Sequence, residues 1–170
     1  MKYIVKKSQL EGEVKLSGAK NSVLRLLAAS LLTNEKIAIK NYPSSLLDAK
    51  VHVDMLKKLG KKCELLQDEE SIIITENGPL DSTLEWYDRS IRNTLLILGA
   101  LTTRIGEGCV PLPGGCKLGE RKYDLHVMLL NEFGAEVWEE NEMLYAKAPT
   151  EGLKGTDIHL PIRSTGATEN

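Results

Sequence analysis

Positions 52 and 126 are both histidine, and the match continues around them. At an offset of 74, Leu56 aligns with Leu130, Leu59 with Phe133 and Gly60 with Gly134. Further upstream, at an offset of 72, Lys20 aligns with Arg92, Asn21 with Asn93, Leu27 with Gly99 and Ala28 with Ala100. Self-similarity at a fixed period means repeated supersecondary units, each burying its apolar face against a neighbour.

The periodicity within each unit says what the unit is. Glu13-Val14-Lys15-Leu16 alternates and predicts a short strand, broken at Ser17-Gly18. Leu24, Leu27, Ala28 and Leu31 share one face of a helix predicted from about Ala19 to Leu32. Lys36–Lys40 reads as a strand. Asp48 to Leu59 reads as a second helix, with Val51, Met55, Leu56 and Leu59 inward and Gly60 past its end. Two strands, Cys63–Leu66 and Ser71–Thr75, close a β-α-β-α-β-β unit over about 12–76.

The second unit covers about 80–148. Its first helix opens at Arg89-Ser90-Ile91-Arg92-Asn93 and runs to about Thr103, followed by a strand near Gly108–Val110, a helix over Tyr123–Phe133, and strands Glu136–Trp138 and Met143–Ala146. The runs Gln67–Glu70 and Glu139–Glu142 are the matching hairpin turns. A third unit begins over about 155–170, with a strand at Asp157–Leu160, a turn at Ser164-Thr165-Gly166 and a first helical turn at Ala167–Asn170. Ending at a helix start leaves backbone groups and apolar partners unmet, so a truncated domain or one piece of a split protein is expected.

Helix starts therefore recur at Lys20-Asn21, Arg92-Asn93 and Gly166-Ala167. Helix N-termini present free N–H groups and the positive end of the dipole, and Lys20 and Arg92 add full charges. The combination suits an anion such as a phosphate or carboxylate. The alternative is that both are solvated surface charges, the usual state of Lys and Arg.

The loop Pro111-Leu112-Pro113-Gly114-Gly115-Cys116-Lys117-Leu118-Gly119-Glu120-Arg121 sets a thiol behind two glycines, with two cations nearby. Nearby cations favour thiolate, the reactive form. On spacing alone, a structural cysteine in a turn fits equally well. Cys63, Cys109 and Cys116 form neither a disulfide framework nor a zinc pattern, which points to a reducing, cytoplasmic compartment. Cys63 reads as a core residue and Cys109 as packing on its short strand, and His52 as a repeated packing or capping residue. Net charge is −2 with no basic block, and aromatics are 5%, which argues against nucleic acid as a partner. The most apolar stretch, Val23–Leu32, is too short to span a membrane and contains Arg25.

Three blocks carry a family resemblance. They are Leu16-Ser17-Gly18-Ala19-Lys20-Asn21, then Gly114-Gly115-Cys116 with Gly119, Arg121 and Asp124-Leu125-His126, and finally Ser164-Thr165-Gly166-Ala167-Thr168-Glu169-Asn170. In this order and spacing the chain resembles the bacterial UDP-N-acetylglucosamine enolpyruvyl transferases, the first committed enzymes of peptidoglycan synthesis. The resemblance implies an α/β fold of βαβαββ units packed as an EPSP synthase-like inside-out α/β barrel domain, here with an incomplete third unit and without the family's second domain. It implies enolpyruvyl transfer from phosphoenolpyruvate to a sugar hydroxyl, without a cofactor or metal. Lys20, Arg92 and Arg121 would contact the phosphate or carboxylate of phosphoenolpyruvate. Asn21 would bind the sugar and assist the transition state. Cys116 would protonate the enol methylene carbon and be the fosfomycin target. Asp124, Leu125, Ser164, Thr165 and Gly166 would line the UDP-sugar. Because the family's second domain supplies further catalytic groups, the isolated chain is expected not to turn over.

The pattern departs at Lys122-Tyr123, where the family has Pro and a small apolar residue, at Ile162-Arg163, and at Thr165, where it has Val. These positions lie near the uridine diphosphate part, so a specialised-metabolite acceptor is an alternative. A non-catalytic phosphate- or nucleotide-binding domain is another, and the missing second domain is a possible partner as a separate chain or segment.

Overall fold

The computed structural model describes residues 3–88, 92–113 and 122–170. The elements are α1 (Lys20–Ala29), β1 (Ile37–Lys40), α2 (Leu47–Lys58), β2 (Lys61–Leu66), β3 (Ser71–Glu76), α3 (Thr94–Ile105), β4 (Glu107–Pro111), α4 (Asp124–Glu132), β5 (Glu136–Glu140), β6 (Met143–Lys147) and α5 (Thr165–Thr168). Single 3-10 turns lie at Ser30–Leu32 and Gln67–Glu69.

The repeat is visible in the sheets. Both are three-stranded and antiparallel, ordered β1-β3-β2 and β4-β6-β5. The hairpins differ in length: Leu66 pairs with Ser71 across a four-residue turn, whereas Glu140 pairs with Met143 across Asn141 and Glu142 alone, so Glu139 and Glu140 belong to β5 and not to the expected turn. In the first unit α2 packs on β2, in the second α3 and α4 pack on β4 and β5, and the inner helices α1 and α3 pack on one another. Val23, Leu24, Leu27 and Ala28 of α1 are buried, and α3 is buried at eight positions from Thr94 to Thr102. A helix apolar nearly all round must be enclosed by other elements, and α3 is enclosed by α1, β4 and β6. Helices inside and sheets outside are the inside-out α/β arrangement.

Helix ends repeat more closely than the hairpins. Gly60 at φ +101° and Gly134 at φ +93° close α2 and α4, their N–H groups donating to Lys57 O at 3.2 Å and Asn131 O at 2.9 Å. That left-handed backbone costs an ordinary side chain about 1 kcal/mol, which explains glycine at both places.

A buried ionic cluster ties the units together. Glu76, at the end of β3, accepts from Lys61 Nζ at 2.6 Å and from both Arg104 guanidinium ends at 2.7 Å. Arg104 Nη1 also donates to Leu31 O at 2.8 Å and Thr33 O at 3.0 Å, satisfying carbonyls where the first helix ends. The Lys61 side chain is 1% exposed, so the cluster is taken out of water and every charge in it needs its partner.

Several expectations require correction. Glu13–Leu16 is not a strand: Val14 and Leu16 are exposed and no strand of the described residues pairs with them. Alternation marks a face that could be buried, but a strand exists only with a partner to bond. In the second unit the same place carries a single parallel bridge, Thr83 to Cys109. Asp157–Leu160 also lacks strand structure. The helix expected from Arg89 starts at Thr94 and runs on to Ile105, so Arg92 and Asn93 sit in the turn before it. Cys63 is half-buried against the core rather than inside it, whereas Cys109 is buried. No helix among the described residues is long and apolar enough to cross a membrane.

Candidate functional site

The first block of the motif is shaped by a close approach. A Cβ on Gly18 would stand 2.2 Å from the Asn41 carbonyl oxygen and 2.9 Å from Pro43 Cδ. Only glycine lets the chain pass the turn after β1, and two residues later α1 begins at Lys20. The Lys20 ammonium forms an ion pair with Asp48, in the first turn of α2. Asn21 is exposed in the first turn of α1, and its carbonyl oxygen accepts from Arg25 Nη1 at 2.5 Å.

The second unit repeats this construction with other groups. Arg92 Nη2 donates to the Lys122 carbonyl oxygen at 2.6 Å, just ahead of α4. Asn93 Nδ2 donates to Leu24 O at 2.9 Å and lies 3.4 Å from His52 Nδ1. The turn before α3 is thereby pinned to both helices of the first unit.

The third helix start is held likewise. Ser164 caps α5 by accepting from the Ala167 N–H at 3.2 Å. A Cβ on Gly166 would lie 3.7 Å from His126 Nε2. His126 thus stands to Gly166 as His52 stands to Asn93, each histidine of a second helix meeting the next unit's inner helix start. Burial pushes His52 down to about 3. Burial, then the nearby Arg92 charge, pushes His126 down to about 4 against the opposing pull of Asp124. Both are neutral packing residues at pH 7. Arg25 closes the ring by pairing with Glu169 beyond α5.

The candidate residues therefore fall into two described groups. Lys20 pairs with Asp48, and Asn21 follows it on the first turn of α1. Arg92, Asp124 and Gly166 gather around His126 in α4, with Leu125 next to it in the chain and Ser164-Thr165 leading into Gly166. Leu160, Ile162, Arg163, Ser164, Thr165 and Glu169, all of the C-terminal segment, line an open cavity of about 430 Å³. Cys116 and Arg121, with the glycines before the thiol, lie outside the described residues. Sequence reasoning missed Asp48 as the partner of Lys20. Its signal was an acid in a helix's first turn, which the helix dipole alone could account for.

The departing residues have structural roles. Tyr123 turns its hydroxyl to Glu139, donating at 2.6 Å, and burial beside that carboxylate pushes the phenol up to about 12. Lys122 contributes its backbone oxygen to Arg92, while its side chain is exposed.

A family model for EPSP synthase (3-phosphoshikimate 1-carboxyvinyltransferase) matches residues 4–170. A UDP-N-acetylglucosamine 1-carboxyvinyltransferase of Carboxydothermus hydrogenoformans is 44% identical over 99% of this chain and 39% of its own length. A protein of the same name from Helicobacter pylori is 41% identical over 98% of this chain and 39% of its own. The chain thus spans about two-fifths of the length of these relatives. Among solved structures, EPSP synthase from Acinetobacter baumannii superposes with TM-score 0.67 at 16% identity, over 93% of this chain and 36% of that one. The enolpyruvyl transferase NikO from Streptomyces tendae gives 0.64 at 19% identity, over 82% and 30%. At such identities the structures speak for the fold.

Proposed function

The chain belongs to the EPSP synthase (3-phosphoshikimate 1-carboxyvinyltransferase) family, and we propose on that premise that it carries the phosphoenolpyruvate-binding part of an enolpyruvyl transferase acting on UDP-N-acetylglucosamine or a related acceptor. The observation that carries this is the pair of cations at equivalent places in the two repeats. Lys20 and Arg92 are each fastened at the start of an inner helix, by Asp48 and by the Lys122 carbonyl. Fixed cations at the positive ends of two helix dipoles favour a dianionic phosphate ester with a carboxylate.

In the transfer, the acceptor hydroxyl loses its proton to water as its oxygen bonds to C2 of phosphoenolpyruvate, while C3 takes a proton. The C2–O bond to phosphate then breaks, C3 returns a proton, and phosphate leaves. Lys20, Arg92 and Arg121 would neutralise the phosphate and carboxylate as charge shifts toward the leaving group. Asn21 would hold the acceptor hydroxyl, and Cys116 would supply the proton to C3. Asp124, Leu125, Ser164, Thr165 and Gly166 would line the acceptor's nucleotide. Such a reaction supplies a peptidoglycan precursor from cytoplasmic metabolites.

The chain's share of its relatives' length favours a second reading in which it binds without turnover. A phosphate-release assay on the isolated chain separates the two, and we expect binding with no release.

Fosfomycin labelling followed by peptide mapping tests the thiol. Burial pushes Cys63 up to about 11 and raises Cys109, so both are protonated and slow. Selective labelling of Cys116, slowed by phosphoenolpyruvate, is the expected result. Equal labelling of all three cysteines would overturn the assignment.

A further inference from the structure

Lys20 and Arg92 hold equivalent places, yet the groups that restrain them differ. Asp48 pairs with the Lys20 ammonium. Its counterpart 74 positions on is Lys122, whose side chain could only repel a cation. There the backbone carbonyl takes over, accepting from Arg92 at 2.6 Å. Restraint of a cation at the inner helix start is kept across the repeat, while its chemistry changes from carboxylate to carbonyl.

The burial is asymmetric. The Asp48 side chain is 11% exposed and the Lys20 side chain 56%. The acid is the fixed member, and the flexible lysine is drawn to it. A carboxylate so far out of water needs a cation, and a lysine left alone would lose much rotamer freedom each time it met a ligand.

We infer that Asp48 is a positioning residue: it holds the Lys20 ammonium at the start of α1 ready for an anionic ligand, the service that the Lys122 carbonyl performs for Arg92. The inference rests on the phosphoenolpyruvate reading above. Asp48 also carries a negative charge that opposes an incoming anion. Preorganisation outweighs this because the exposed side of the pair is screened by water.

The test is a double-mutant cycle read by calorimetric titration of the 170-residue chain with phosphoenolpyruvate. Asp48→Asn should weaken binding about fivefold, the balance of lost preorganisation against relieved repulsion. Asp48→Glu should restore affinity to within about twofold, since the carboxylate still reaches the ammonium. In a Lys20→Met background, Asp48→Asn should have no further effect. Asp54→Asn, which breaks the exposed pair with Lys57 on the same helix, should leave binding unchanged. Equal or tighter binding by Asp48→Asn, or the same loss in the Lys20→Met background, would overturn the inference.

Lysine acylation mapped by mass provides a readout that needs no ligand. Asp48→Asn should speed acylation of Lys20 about threefold relative to Lys57, because the ion pair no longer masks the amine; an unchanged ratio would overturn the inference. If the wild-type chain does not bind phosphoenolpyruvate, the functional reading falls and the acylation ratio alone decides the positioning role. Asp48→Ser serves both measurements should Asp48→Asn fail to fold.

Discussion

The α-carbon of Gly18 lies so close to the turn at Asn41 that a Cβ there would stand 2.2 Å from the Asn41 carbonyl oxygen. The partner is backbone, so it cannot rotate away. Gly18→Ala must move the segment that leads into Lys20 and Asn21. A loss of about 1–3 kcal/mol in urea unfolding is expected, the usual cost of overpacking. Phosphoenolpyruvate affinity should fall as well, because the start of α1 moves.

Glu76 is the centre of the buried ionic cluster. Glu76→Gln leaves Lys61 and Arg104 facing each other without their carboxylate. Breaking a buried pair from one side costs about 3–5 kcal/mol, and a drop in that range is expected in equilibrium unfolding. The Arg104 hydrogen bonds hold the Glu76 carboxyl below its usual range. Its contribution is therefore complete above the unfolded carboxyl pKa and is lost as pH falls through the folded one.

His52 gives a pH dependence in a higher window. It is neutral and buried in the fold, with its pKa pushed down to about 3. Unfolded, it takes a proton near 6.5, so the unfolded state binds more protons below that pH and stability falls with acidification. Between pH 7.5 and pH 5, His52 should cost about 2 kcal/mol of stability. His52→Gln should remove that part of the slope, leaving the share that belongs to His126. Urea titrations of both chains at the two pH values measure it, and an unaltered slope would contradict a neutral His52.

The repeat was legible because it is written in residue identity. His52 and His126, Gly60 and Gly134, and the apolar faces around them sit at equal spacing, and the folded units reproduce them in helix ends and in strand order. The contacts between units were not legible. Asn93 reaches Leu24 and Arg104 reaches Glu76 across distances in sequence that no local pattern records. The alternation at Glu13–Leu16 misled because a strand is a property of two segments, and only one was in view. Lys20 and Arg92 could be named as candidates from the repeat. Their anchors could not, because one is a buried acid and the other a backbone oxygen that any residue at position 122 would supply.

Tyr123 accounts for one departure from the family pattern without reference to the acceptor. Its hydroxyl bonds Glu139 on β5, which ties the start of α4 to the sheet. Tyr123→Phe should lower stability by about 1 kcal/mol, the net worth of such a bond, and should leave phosphoenolpyruvate affinity within about twofold of wild type. Thermal unfolding and titration together check this. A large loss of affinity would mean that the hydroxyl serves the ligand.

The central claim is that this chain by itself holds an anion site built on equivalent cations of two repeats. Calorimetric titration of phosphoenolpyruvate into the wild-type, Lys20→Met and Arg92→Met chains tests it most directly. Saturable one-to-one binding, weakened about tenfold or more by either substitution as expected for charge-assisted contacts, is the predicted result. No saturable binding to the wild-type chain, or binding indifferent to both substitutions, would contradict the claim.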